Sequence, residues 1–158
     1  MTIVLYSTIL YSMEVEEIKT HGGFLISQIK QLQGRTFEKM LKESGIDAFN
    51  GAQGRILYVL WERERLTISE IGHLTSLAKT TLTGMLDRME EGGLVERTAD
   101  KKNRRQVIIS ITDKARKYKE EYDSVSDRMN ELFYKGVKED EVAVFEEMLR
   151  HIIRNLEE

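Results

Sequence analysis

Residues 66–116 read LTISEIGHLTSLAKTTLTGMLDRMEEGGLVERTADKKNRRQVIISITDKAR. Thr67-Ile68-Ser69-Glu70 has the form of a capping box, in which a hydroxyl and a carboxylate three residues apart satisfy free amides at a helix start. Ile71 and Leu74 would be buried behind it. Thr75-Ser76-Leu77 reads as a tight turn. From about Ala78 to Glu91, the apolar residues Leu82, Met85, Leu86 and Met89 recur at spacings of three and four, which predicts a second helix. Gly92-Gly93 ends it, since glycine accepts the left-handed backbone that terminates helices. The period then changes, and Leu94–Thr98 and Val107–Ile111 read as two strands. Between them lies DKKNRRQ, residues 100–106, the loop of a β-hairpin in which four of the five positions from 101 to 105 are Lys or Arg.

Upstream, Asn50 can cap a helix and Gln53 can reach back to it, with Ile56, Leu57, Leu60 and Trp61 on its apolar face. Residues 51–111 therefore run helix, short helix, turn, helix, strand, basic loop, strand. That order defines a winged helix-turn-helix. Further out, the pattern is helical from Glu14 to about Lys42, with Ile18, Leu25, Ile29, Leu32, Phe37, Met40 and Leu41 on one stripe and Gly45 as its stop. Thr112 can cap a helix in which Tyr118, Tyr122, Val125, Met129 and Leu132 alternate at spacings of four and three, a coiled-coil-like stripe. After Gly136 a last helix carries Val142, Phe145, Met148, Leu149, Ile152, Ile153 and Leu156. The expected fold is mainly α (α+β): a winged helix-turn-helix core at 51–111, with long N- and C-terminal helices (1–50 and 112–158) forming a dimerisation region.

Composition narrows the function. The 158 residues suit one ordinary domain and include no proline, which favours long helices. No cysteine is present, so disulfides, thiolate metal sites and thiol switches are excluded. His21, His73 and His151 are scattered, and no metal site is expected. No nucleophile-and-base motif, phosphate loop or dinucleotide fingerprint appears, so neither an enzyme nor a cofactor is expected. No apolar run is long enough to span a bilayer, and the uncharged first twelve residues lack the marks of a signal peptide. A cytoplasmic protein without a membrane partner is the simplest expectation.

The net charge of -3 hides an asymmetry. Residues 66–118 hold ten basic and seven acidic side chains, whereas residues 119–158 hold six basic and twelve acidic. A local basic face is the footprint of a nucleic-acid reader. A helix fits the major groove, and a thin cationic hairpin can reach the phosphate backbone or the minor groove beside it. On the 78–91 helix the candidate contacts are Lys79, Thr80, Thr81, Thr83, Gly84 and Arg88. Threonine exchanges hydrogen bonds with base edges and packs its methyl on thymine; Gly84 would let a backbone come close. Arg88 could meet a phosphate or pair with Asp87 or Glu91. On the hairpin the candidates are Lys101, Lys102, Asn103, Arg104 and Arg105, with Asp100 holding the loop rigid by pairing with Arg105. A winged helix used only for protein–protein contact is the alternative, and it would need neither a cationic tip nor a hydroxyl-rich face.

The run from Thr81 through Leu86-Asp87-Arg88-Met89-Glu90 to Gly93-Leu94-Val95-Glu96-Arg97, the D-x-x-N-x-R hairpin at 100–105 and Ile109-Ser110-Ile111-Thr112 together resemble the MarR (multiple-antibiotic-resistance regulator) family. Gln53-Gly54-Arg55-Ile56-Leu57 and Gly23-Phe24-Leu25-Ile26 also look familial, and the likeness covers about residues 20–155. The resemblance implies a homodimeric transcription regulator, usually a repressor, that binds a near-palindromic double-stranded operator. It also implies release by a small aromatic or phenolic effector, held between the dimer helices and the winged core; the Leu57–Trp61 region is the candidate. Asn103 departs from the family's usual second Asp. Ala78 stands where the family's reading helix often begins with Ser or Asn, so Ser76 or water is expected to cap it.

Overall fold

A computed structural model describes residues 19–157. The described residues divide into two compact units, 19–32 and 33–157, with the boundary inside the first described helix, α1 (Gly22–Glu43). Lys19, Thr20 and His21 are not helical, so α1 starts later than its apolar stripe suggested, and the stretch before Lys19 lies outside the described residues. No described helix is long and apolar enough to cross a membrane.

In the second unit, α1 ends where the Ile46 and Gly45 amides bond back to the carbonyls of Leu41 and Lys42. Next come α2 (Gly51–Arg63), β1 (Arg65–Thr67), α3 (Ile68–Thr75), α4 (Lys79–Glu91), β2 (Val95–Ala99) and β3 (Val107–Ile111). Both capping boxes form. Asn50 Oδ1 accepts from the Gln53 amide (2.9 Å) and Gln53 Oε1 from the Asn50 amide (3.0 Å). Glu70 accepts from the amide (2.7 Å) and hydroxyl (2.9 Å) of Thr67.

Thr67 also ends a strand that periodicity could not announce. β1 is only three residues long, yet it pairs antiparallel with β3, Leu66 opposite Ile109, and gives a sheet of order β1-β3-β2. The hairpin register is set by Val95 opposite Ile111 and Ala99 opposite Val107. Beneath it, Ile56, Leu57 and Leu60 of α2, Ile71 of α3, Leu82, Leu86 and Met89 of α4, and Ile109 of β3 are fully buried in one core. Each such side chain contributes about 1.5–3 kcal/mol by leaving water. The core locks the angle between α3 and α4 and seats the hairpin beside them.

Thr112 caps a single turn, α5 (Asp113–Arg116), and not the long helix expected after it. The Ala115 carbonyl accepts from the Tyr118 amide (3.2 Å) and from the Trp61 indole (3.2 Å), a tighter closure that interrupts the ladder. The chain resumes as α6 (Lys119–Phe133), and after Gly136 as α7 (Glu139–Glu157). Phe49, Trp61, Tyr118 and Tyr122 meet in an aromatic cluster, with Phe49 edge-on to Trp61 and Tyr118, and Tyr122 tilted against Phe49 and Trp61. Gly54 is needed there, because a Cβ at that position would lie 2.6 Å from the Tyr122 ring.

Candidate nucleic-acid interface

The turn between α3 and α4 is made by Ser76, which adopts the left-handed conformation (φ 55°, ψ 28°) at the end of α3. Thr75, just before it, turns its hydroxyl onto the Ile71 carbonyl (2.6 Å). Ala78 precedes α4 and its side chain caps nothing. Of the two expected substitutes, Ser76 or water, Ser76 does not serve as a cap, because its backbone is committed to closing α3.

Leu82, Met85, Leu86 and Met89 face the core, which leaves Lys79, Thr80, Thr81 and Arg88 exposed on the other side of α4, with Thr83 and Gly84 half-buried. The Thr83 hydroxyl donates to the Lys79 carbonyl (2.8 Å), so its proton serves its own helix. A Cβ built at Gly84 meets nothing within 4 Å. Arg88 pairs with neither Asp87 nor Glu91. Asp87 is bound instead by a residue the sequence reading passed over, Arg97 on β2. The Arg97 guanidinium donates to Asp87 Oδ1 (2.6 Å) and Glu90 Oε2 (2.5 Å), and its amide to Glu90 Oε1 (3.2 Å). Burial works against the Arg97 charge, but the hydrogen bonds it donates to Glu90 and Asp87 prevail and leave its pKa raised. The signal was present in the sequence: two carboxylates one turn apart on a helix, followed by a lone arginine in the next strand.

C-terminal to α4, Gly93 takes φ +71° while its amide and that of Leu94 bond to the Glu90 and Met89 carbonyls. The chain thereby reverses directly into the hairpin. At the far end of the hairpin the Asp100 amide donates to the Gln106 carbonyl (2.9 Å) and the Gln106 amide to the Asn103 carbonyl (2.8 Å). Asp100 Oδ1 accepts from the Lys102 amide (2.9 Å), and Asn103 Oδ1 from the Arg105 amide (3.2 Å). Asp100 therefore orders the loop through backbone and not through the expected pairing with the Arg105 side chain. Asn103 supplies an acceptor without a negative charge. Lys101, Lys102, Arg104 and Arg105 are all exposed, and none of them is in an ion pair with the described carboxylates.

A cleft of about 480 Å³ lies between α3, the start of α4 and the tip end of the hairpin. Thr67, Ser69, Gly72, Lys79, Arg105 and Gln106 are among its walls, so it brings a cation of α4 and a cation of the hairpin to one place. In the Leu57–Trp61 region, the sequence-based candidate for an effector site, Leu57 and Leu60 are fully buried and the Trp61 indole is bonded, while Tyr58 is exposed.

Helix, left-handed turn, helix and cationic hairpin define a winged helix-turn-helix protein. The MarR family profile matches residues 49–107. The HTH-type transcriptional regulator TtmR of Methylorubrum extorquens is 46% identical over 68 residues, 43% of this chain and 35% of that one. The chain thus spans about a third of that curated relative's length. Among solved structures, reduced AbfR bound to DNA, a protein of Staphylococcus epidermidis, is 30% identical, with 85% of this chain and 90% of that one covered and a TM-score of 0.66. A MarR mutant from E. coli complexed with operator DNA is 27% identical over 82% of this chain and 91% of that one, with a TM-score of 0.74. The chain belongs to the MarR family.

Proposed function

We propose that this protein is a dimeric, sequence-specific DNA-binding regulator of transcription, acting as a repressor. The observation that carries the reading is the set of exposed, unpaired cations on α4 and the hairpin tip, held on one scaffold in a chain of net charge -3. Unpaired cations can take phosphates without first breaking an ion pair. That two of its relatives were solved with DNA supports it. In this reading α4 enters the major groove, where Thr80 and Thr81 meet base edges and Gly84 allows close approach. Lys79 and Arg88 bind flanking phosphates. Lys101, Lys102, Arg104 and Arg105 bring the wing to the adjacent backbone or minor groove, on a loop that Asp100 and Asn103 hold in shape.

The second copy is part of the proposal, because a two-fold pair sets two copies of α4 about one helical turn of DNA apart. Control would come from a small aromatic or phenolic effector that binds the DNA-incompetent arrangement better and so shifts the population away from DNA. The test is selection of bound fragments from a random duplex pool at near-physiological salt. The expected outcome is a near-palindrome with half-sites about 10 base pairs apart. Failure to retain any duplex even at low salt would overturn the reading and favour a protein partner. With the operator in hand, phenolic carboxylates are screened for release of DNA.

A further inference from the structure

Arg97 touches none of the surfaces assigned to DNA above, yet it joins both of them. Its side chain is 23% exposed and spans from β2, the first strand of the wing, to two carboxylates one turn apart on α4. The two arms of its guanidinium go to different residues, Asp87 at 2.6 Å and Glu90 at 2.5 Å. A planar cation held at two points fixes a direction as well as a distance, which a single ion pair on flexible side chains does not. Two other bonds close the same junction. The Thr112 hydroxyl donates to the Gly93 carbonyl (2.7 Å), and the Lys114 ammonium to the Gly92 carbonyl (2.8 Å). These tie the exit of β3 to the end of α4, and the pairing of β1 with β3 and the buried Val95 and Ile109 hold the inner part of the hairpin, but none of them reaches its outer part towards the tip. Besides the apolar packing of Val95 in the core, Arg97 makes the polar contact, among the described residues, that runs from β2 to the body of α4.

We propose that Arg97 is a positioning residue that sets the angle of the wing relative to α4, so that both can engage one duplex at once. The proposal rests on the DNA-binding reading above and deepens it. A wing free to swing would lose orientation before it could contribute its phosphate contacts. The same clamp also screens Asp87 and Glu90, two carboxylates on the helix meant to face a polyanion, so geometry and charge must be separated by experiment. Arg97→Lys does so: it keeps the positive charge but cannot hold both carboxylates in one plane. Arg97→Ala removes both properties.

The chain has no cysteine, so Thr80→Cys and Lys101→Cys give two unique positions for spin labels on α4 and the wing. Distance distributions are measured on the free protein, with Arg97, with Arg97→Lys and with Arg97→Ala. Operator affinity and thermal unfolding are measured on the same three chains without labels. The expected result is a broadened distance distribution in both variants, with an unfolding temperature close to that of the parent. Operator affinity should drop by about tenfold in both, the scale of coupling across one residue network. Full recovery of affinity in Arg97→Lys would reduce the residue to charge screening and overturn the proposal. So would an unchanged distance distribution in Arg97→Ala, whatever the affinity. Broadened distances with parental affinity would overturn its part in DNA binding. If the parent itself bound no duplex, the DNA-binding reading would fall by that result alone, while the spin-label distances would still decide whether Arg97 sets the wing.

Discussion

Position 84 carries the residue that helix interiors least tolerate after proline, and nothing in the fold requires it. Glycine in a helix costs about 0.5–1 kcal/mol relative to alanine, and a Cβ at Gly84 would stand in open space. Gly84→Ala should therefore stabilise the protein by about 0.5–1 kcal/mol, read as a higher unfolding midpoint. If the open space is where DNA comes close, operator affinity falls in the same variant. Higher stability with unchanged affinity would remove Gly84 from the interface. Tyr122 shows the opposite relation between residue and surroundings. Its buried ring fills the aromatic cluster, and burial pushes its pKa from the usual 10 up to about 12. Because the folded value is the higher one, the unfolded chain ionises first. Stability from this residue is complete below pH 10 and is lost as the pH rises towards 12. Tyr134, also raised by burial and by its bond to Glu146, adds to the loss in the same direction. Denaturant titrations at pH 9 and 11 should show the drop, and Tyr122→Phe should make it shallower. An equally steep drop in that variant would mean that the titrating group lies elsewhere.

At the scale of the element, the capping boxes show how much a short pattern can carry. Thr67 and Glu70 bond each other's backbone across the start of α3. The Thr67 amide, and after it the Thr67 hydroxyl, hold the Glu70 carboxyl below its usual value. A lowered folded pKa stabilises above the unfolded value near 4.5, and that contribution disappears as acid protonates Glu70. Thr67→Ala should cost about 1 kcal/mol at neutral pH, and Glu70→Gln should flatten the fall in unfolding temperature between pH 5 and pH 3. An unchanged acid slope in Glu70→Gln would show that Glu70 is not the group concerned. Both boxes were legible in the sequence because they are local: four residues hold all the partners. The same holds for the Gly92-Gly93 stop and for the wing strands. β1 was not legible, since a three-residue strand has no period and owes its existence to β3, a partner more than forty residues later. The break after α5 escaped for a related reason: Tyr118 and Tyr122 keep the apolar stripe in phase, while the interruption comes from the Trp61 indole reaching the Ala115 carbonyl from another helix. The free cations of the candidate site could be read from composition. Arg97 left only a partial trace there, two carboxylates one turn apart before an arginine in the next strand, because its role needs Asp87, Glu90 and β2 in one place and only the fold brings them there.

At the scale of the whole molecule, neither unit covers its own apolar surface. In the first, Phe24, Leu25, Ile26, Ile29 and Leu32 are exposed along α1. In the second, α7 has no buried residue and leaves Val144, Met148, Ile152, Ile153 and Leu156 in contact with water. The charges of α7 do not offset this, because Arg150 and Arg154 are already paired with Glu146 and Glu147 along the same helix. Patches of this kind mark surfaces that another chain covers, and a second copy fits the two-fold symmetry that a near-palindrome demands. Met148→Glu combined with Ile152→Glu places two carboxylates on the apolar stripe of α7 without touching the winged core. Sedimentation should then give the mass of one chain, with the core's unfolding temperature retained. On DNA the consequence is larger than one lost contact. Two linked reading heads bind with the second held at high effective concentration, and separating them lowers affinity for the full operator by about 10²–10⁴. Affinity for an isolated half-site would stay that of the parent's single head. A variant that remains paired would move the interface away from α7. A monomer that still held the full operator at parental affinity would show that one copy suffices, and the dimeric reading of the operator would fall with it.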